Sequence, residues 1–402
     1  MDNENSIKNI LIHGAGQVVN LLAPFLVAFY IIPICGVDKW GIIGVVTTVY
    51  ILLGLVIEFG ANLIGVKEIS TFRLKANYLR KYIGLNYKFR LYCCSFLTII
   101  LTIVFLILKV DASYYWGLTM VAAWYYNPIW IYQAQESFKK INHIIFWSKL
   151  IYVLSIYLLV KQPEDYVYVV GILGFSNSML YAFYYYKVPK NLDISLKRIV
   201  LFIKKNTFIV GSNFAVNLYT QAPVFIISAT LGSTYAGIYK IVDLFLVAFR
   251  SYLGVFFNVT YPKFCNLFAL NLKSAKNYLF KMTAINVILL VVVSVLITSS
   301  MPFILDFYNV TNTVKQGLLL GSFMLFLPIT VALNIPFYQT LLFRNKHKII
   351  LLILSSALLI TFGLGILLTN NFGLNGIITA LYTTEIFITI SMWAIGKKYL
   401  AT

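Results

Sequence analysis

The sequence predicts an all-α membrane protein with about twelve transmembrane helices, and three observations carry that prediction. Hydrophobic residues make up 60% of the 402 positions and charged residues only 11%, with a mean hydropathy of +0.84; soluble globular domains are about 45–50% apolar. The apolar residues fall in runs of about 20, the length that crosses a bilayer as a helix and far exceeds a barrel strand. Lysine and arginine crowd into every second gap between those runs.

In chain order the runs are 10–34, 41–66, 91–109, 113–133, 144–160, 166–186, 207–231, 236–261, 283–301, 316–342, 349–369 and 372–395. Residues 1–9 are polar, and the first run is too long and too polar for the h-region of a cleavable signal, so it is expected to persist as the first span. With the N-terminus inside, the inner segments hold 26 of the 32 cations, counting Lys149 near the start of the fifth run with the gap before it, and the outer gaps hold only Lys39, Lys109, Lys161 and Lys315. Cations near short loops stay on the cytoplasmic side, so both termini are expected in the cytoplasm. Two cations, Lys240 and Arg250, fall inside the eighth run. Topology thus accounts for the net charge of +19, which gives no reason to expect nucleic acid as a partner. Residues 187–205 alternate Ile194, Leu196, Ile199 and Phe202 with Lys197, Arg198, Lys204 and Lys205, the pattern of an interfacial helix or a basic loop on anionic lipid.

No gap is long enough to fold as a domain of its own. That opposes a membrane-embedded glycan polymerase or ligase, and the chain also lacks a Gly-Lys-Ser or Gly-Lys-Thr phosphate loop for ATP. His13, His143 and His347 are far apart, and Cys35, Cys93, Cys94 and Cys265 lack metal-ligand spacing, so no catalytic residues, no metal and no cofactor are expected, and the thiols are expected to be free.

The two halves of the sequence resemble each other. Gly36-Val-Asp-Lys-Trp-Gly41 matches Gly232-Ser-Thr-Tyr-Ala-Gly237 at an offset of 196, and Tyr132-Gln133 matches Tyr338-Gln339 at 206, each with a proline shortly before, Pro128 and Pro336. Duplication of six spans keeps both copies in the same orientation. The expected organisation is a six-helix lobe at 1–190, a cytoplasmic interfacial linker at 191–206 and a second six-helix lobe at 207–402, a parallel repeat with a substrate path between the bundles.

Polar residues inside the spans are the functional candidates, because they are costly in lipid unless they face protein or water. His13, Gln17 and Asn20 share a face of span one with Pro24, and Asn213, Asn217 and Gln221 precede Pro223 in span seven. They either line a cavity or bind helix to helix. In span eight Asp243 and Arg250 lie about 20° apart around the helix and roughly 10 Å apart along it. Arg250 is a fork of donors suited to phosphate oxygens, and the alternative is a structural ion pair with Asp243. Lys240 is near enough to the outer end to snorkel. Glu58, Glu385 and Asp243 are candidates for coupling to an H+ or Na+ gradient, although Glu58 could instead reach Lys67 at the interface. Trp124, Tyr125 and Tyr126 sit deep enough to stack on sugars, with packing as the plainer role.

The run Asn127-Pro-Ile-Trp-Ile-Tyr-Gln-Ala-Gln-Glu-Ser-Phe-Lys-Lys-Ile141 resembles the end of the fourth helix of Wzx-type O-antigen and polysaccharide flippases. Gly237-Ile-Tyr-Lys-Ile241 leading to Tyr261-Pro262, and Gly373-Leu-Asn-Gly376 leading to Thr384-Glu385, resemble their eighth and twelfth helices. The resemblance implies a member of the multidrug, oligosaccharidyl-lipid and polysaccharide exporter superfamily, with two lobes around a V-shaped central cavity in a bacterial inner membrane. It implies an undecaprenyl-diphosphate-linked oligosaccharide as substrate, moved outward by alternating access, with membrane lipids and polysaccharide assembly machinery as partners. The family's cavity cations map here onto Arg250 and Lys240. A drug or small-solute exporter of the same superfamily is the alternative, and an acidic cavity would favour it.

Overall fold

The computed structural model describes the backbone of residues 2–72, 74–307 and 311–401, and within these all side chains except those of 2–15, 17, 208, 209, 212, 262, 269, 304–307 and 401. Helices are α1 (Asp2–Cys35), α2 (Val37–Glu58), α3 (Val66–Thr71), α4 (Ala76–Leu108), α5 (Ala112–Gly117), α6 (Thr119–Tyr126), α7 (Ile129–Ala134), α8 (Phe138–Leu159) and α9 (Val169–Tyr186). They continue with α10 (Leu196–Leu231), α11 (Ser233–Leu270), α12 (Leu272–Phe307), α13 (Asn312–Gly321), α14 (Leu327–Phe343) and α15 (His347–Ala401). Among the described residues ten helical segments are long and apolar enough to cross a bilayer, and the chain is a multi-pass membrane protein.

The ten segments and the twelve expected runs differ for two local reasons. The fourth run is split into α5, α6 and α7, and the break between α6 and α7 has a local cause: Pro128 has no N–H to offer the carbonyl of Trp124 and opens the helix at Asn127 and Pro128. The last two runs form one long helix broken at Gly373, whose φ of 58° and ψ of −136° lie where only glycine rests without strain. The stretch expected as an interfacial helix at 187–205 is irregular up to Ser195; α10 then runs unbroken from Leu196 into the seventh span.

The chain divides into two compact units, residues 1–214 and 215–402, each described by itself. The first is centred on Tyr87, Trp130, Tyr132, Ile141, Ile144 and Tyr185, and the second on Phe264, Leu279, Phe337, Leu341, Ile353 and Met392. On the outside, α4 exposes Phe96, Ile99, Ile103 and Ile107 and α12 exposes Ile285, Ile288, Val292 and Leu296, apolar stripes that suit hydrocarbon rather than water. Cys35, Cys93, Cys94 and Cys265 are free thiols.

The units repeat one another in detail. Gly36 and Gly232 start α2 and α11 with φ of 89° and 88°, and Trp40 and Ala236 each donate a backbone bond to the preceding glycine's carbonyl at 3.2 Å. The offset of 196 carries through the next helix, where buried Ile83, Arg90, Cys94 and Phe105 of α4 stand where buried Leu279, Asn286, Leu290 and Met301 stand in α12. After α7 and α14 the chain turns through Glu136 and Asn345, with φ of 56° and 55°. At both turns the next residue donates back five positions, Ser137 to the Tyr132 carbonyl at 2.8 Å and Lys346 to that of Leu341 at 2.9 Å, closing the same helix-ending motif. The turns differ by 209 residues, so the expected pairing at 206 is corrected: at this offset Gln339 corresponds to Trp130, both fully buried, whereas Gln133 is exposed.

Candidate functional site

The second unit contains a cavity of about 370 Å³ lined by α10, α11, α14 and α15. Its wall is mostly apolar and aromatic, with Tyr219, Tyr239, Phe257 and Tyr338, and the charged residues that line it are Arg250 and Glu385. Helical spacing creates the charged edge: Lys240, Asp243 and Arg250 follow at i, i+3 and i+10 and share a face of α11. Asp243, buried, accepts from Lys240 Nζ at 2.8 Å and from an Arg250 guanidinium nitrogen at 2.6 Å. Side-chain exposure is 5% for Asp243, 15% for Lys240 and 39% for Arg250. Three charges therefore leave one net positive charge, and Arg250 presents it to the cavity. Across the same cavity the Tyr219 hydroxyl donates to Glu385 Oε1, a contact between α10 and α15.

Arg250 is thus ion-paired with Asp243, the alternative weighed from sequence, and it also lines the cavity. Lys240, which the sequence placed near enough to the outer end to snorkel, donates to the buried carboxylate of Asp243 one turn away. Asn213, Asn217 and Gln221 are partly buried on α10 and are not among the cavity-lining residues, and Asn20 is exposed on α1 in the first unit. The side chains of His13 and Gln17 lie outside the described residues.

Glu58 takes part in a different cluster, within the first unit. Its carboxylate accepts from Asn62 Nδ2 at 2.6 Å and Asn127 Nδ2 at 2.7 Å, so it does not turn to Lys67. The centre of the cluster is Arg90, fully buried, which donates to the carbonyls of Trp124 at 3.1 Å and Asn127 at 3.0 Å. The Trp124 carbonyl is the one that Pro128 cannot serve, and the guanidinium replaces the missing N–H. Asn127 links the two charges, its amide bound to Glu58 and its carbonyl to Arg90. The sequence reading counted Arg90 only as one of the cations of a cytoplasmic gap, whereas the structure buries it completely. The overlooked signals were Pro128, which creates an orphan carbonyl, and the spacing of Tyr87, Arg90 and Cys94 on the buried face of α4.

At the offset of 196, Glu58 and Arg90 correspond to Gly254 and Asn286. Gly254 lines the cavity, and a Cβ there would meet nothing within 4 Å. The second unit is open where the first unit holds a carboxylate. Asn286 is fully buried, and its amide atoms have no partner among the described residues. Trp124 and Tyr125 are used for packing, Trp124 Nε1 donating to the Tyr50 carbonyl at 3.0 Å and Tyr125 sharing a hydrogen bond with Tyr185 at 3.0 Å.

A family model described as polysaccharide biosynthesis protein matches residues 6–268. Among solved structures, an inward-facing multidrug resistance MATE family transporter of the MOP superfamily is similar with a TM-score of 0.70 at 12% identity, covering 95% of this chain and 94% of that one. An outward-facing transporter of the same description gives a TM-score of 0.65 at 11% identity over 97% and 94% of the two chains. A MOP superfamily transporter from Pyrococcus furiosus gives 0.61 at 12% identity over 98% and 94%. At such identities the likeness shows a shared fold alone. No curated protein matches the chain.

Proposed function

We propose that this chain, which belongs to the polysaccharide biosynthesis protein family, a transporter family rather than one of enzymes, is a flippase for a lipid-linked oligosaccharide. The substrate is an undecaprenyl-diphosphate-linked repeat unit of O-antigen or capsule, carried from the cytoplasmic to the outer leaflet of a bacterial inner membrane by alternating access. The observation that supports this most is Arg250. Lys240 balances Asp243, so the guanidinium offers its charge and remaining donors to a phosphate at the edge of an apolar, aromatic cavity. Tyr219, Tyr239 and Tyr338 give surfaces for sugar rings or a polyprenyl chain. Asp243 is occupied by two cations, whereas Glu385 meets the cavity directly, which makes Glu385 the candidate for coupling to H+ or Na+.

Arg250→Ala and Arg250→Lys, expressed in a strain lacking its own flippase, test this reading. Loss of surface glycan with Ala and partial retention with Lys is expected, with repeat units accumulating on the cytoplasmic leaflet. Full rescue by Ala removes Arg250 from substrate binding, and normal export of the repeat unit after deletion of the protein refutes the flippase.

A further inference from the structure

We propose that a basic notch in the first unit, formed by α4, the α7–α8 turn and residues 187–192, binds a phosphate-bearing headgroup, with Arg80 as its central donor. Two hollows adjoin there, of about 590 Å³ and about 490 Å³, and Arg80 lines both. The first hollow adds Lys140 and Lys187, and the second Lys81 and Lys190. No aspartate or glutamate lines either one. Among the described residues none of these five cations has a carboxylate within 4.0 Å, in contrast to Lys39, Lys240 and Arg250, which pair with Asp38 and Asp243. Five cations gathered around concave space without a counter-ion call for an anion from outside the chain, and a guanidinium between two hollows is suited to the paired oxygens of a phosphate.

Positive-inside topology alone explains basic residues near a membrane surface, but it does not require them to be braced. Here they are. Residues 187–195 cross α4 as an irregular strap: Asn191 N–H donates to the Arg80 carbonyl at 3.0 Å, and Lys88 Nζ donates to the Ile194 carbonyl at 2.8 Å. Gly84 lets the strap lie against the helix, since a Cβ there would stand 1.6 Å from the Asn191 carbonyl oxygen. Lys190 Nζ lies 3.5 Å from the centroid of the Tyr185 ring and donates to that residue's carbonyl at 2.7 Å. Lys140 and Lys187 rest on Tyr132 and Phe183, at 5.1 and 3.8 Å from the ring centroids. Burial also holds the Lys190 ammonium below the usual lysine range, a cost that a bound anion would relieve. The notch shares no lining residue with the Arg250 cavity, and it stands whether or not that cavity reads a diphosphate.

The test uses full-length protein in phosphatidylcholine nanodiscs containing phosphatidylglycerol, with bound lipid counted by native mass spectrometry and inorganic pyrophosphate as competitor. Arg80→Gln is expected to weaken phosphatidylglycerol retention or pyrophosphate binding about tenfold, the loss of one charge-assisted contact. The double variant Lys140→Gln with Lys187→Gln should do at least as much. Lys197→Gln, an exposed cation on α10 that lines neither hollow, should stay within about twofold of the parent. Displacement of lipid by pyrophosphate shows that the phosphate itself is read. Lipid retention that resists pyrophosphate but is lost with Arg80→Gln assigns a membrane-lipid headgroup, and pyrophosphate binding without lipid retention assigns a free or substrate-borne diphosphate. Equal losses for Arg80→Gln and Lys197→Gln, or no loss in either, overturn the proposal. Monodisperse elution of each variant is the check that it folds.

Discussion

Arg90→Met should be among the most destabilising single changes in the first unit, although the side chain is nearly as long and more apolar. The structure gives the reason. Arg90 is fully buried and donates to two carbonyls in a helix that Pro128 has opened; a hydrogen bond to a charged group contributes about 1.5–3 kcal/mol. The substitution also removes the cation that Asn127 links to the Glu58 carboxylate, 3% exposed, and a buried charge left uncompensated costs about 3–5 kcal/mol. These figures overlap rather than add, so a loss of about 3–5 kcal/mol is expected. Thermal unfolding in detergent, followed by loss of monodisperse protein on size-exclusion chromatography, should show a fall in Tm of roughly 10 °C. Lys81→Met, an exposed cation on the same helix, should change stability by no more than about 0.5 kcal/mol. The double variant Arg90→Met with Glu58→Gln should recover part of the loss, because no buried charge is left uncompensated. A Tm drop no larger than that of Lys81→Met, or a double variant as unstable as both singles summed, would show that the cluster is not a coupled unit.

Gly254→Phe should fill the second unit's cavity and abolish surface-glycan rescue with little change in Tm, while Gly254→Ala leaves both intact, because a Cβ there meets nothing within 4 Å; a transport-competent Phe variant would remove the cavity from the substrate path. Gly84→Ala should cost about 1–3 kcal/mol by lifting the strap off α4, read as a lower Tm, and an unchanged Tm would refute that packing. Asp111, in the gap between α4 and α5, is raised by burial but lowered more by hydrogen bonds from Ser113 and Tyr166 and by the charge of Lys39, leaving it below the usual carboxylate range. Its folded pKa is depressed, so its stabilisation is present above the ordinary carboxylate pKa of about 3.9 and lost as the pH falls through the folded value. Asp111→Asn should therefore lower Tm at neutral pH, with the gap to the parent closing in acid; a gap independent of pH would refute the assignment.

The all-α membrane class and nearly all of the helical segments were legible in sequence because they depend on local quantities. Run length against bilayer thickness and the helix breaks at Gly36 and Gly232 need only neighbouring residues. The shared face of Lys240, Asp243 and Arg250 was legible for the same reason, since all three lie on one helix and its periodicity sets their angles. Burial, in contrast, depends on what packs against a residue. Arg90 looks like any cation at the end of an apolar run until α6 and α7 bring the Trp124 and Asn127 carbonyls to it, and Glu385 reaches Tyr219 only because α15 packs beside α10, 166 residues away in the chain. The five cations of the strap, α4 and α8 show the same division: sequence placed them in basic gaps, and only the packing of residues 187–192 against α4 and the α7–α8 turn made hollows of them. Sequence by itself thus determined where the chain is helical, where it breaks and which charges share a helix. Tertiary structure decided which charges are removed from solvent and what they face, because that depends on contacts between segments far apart in the chain.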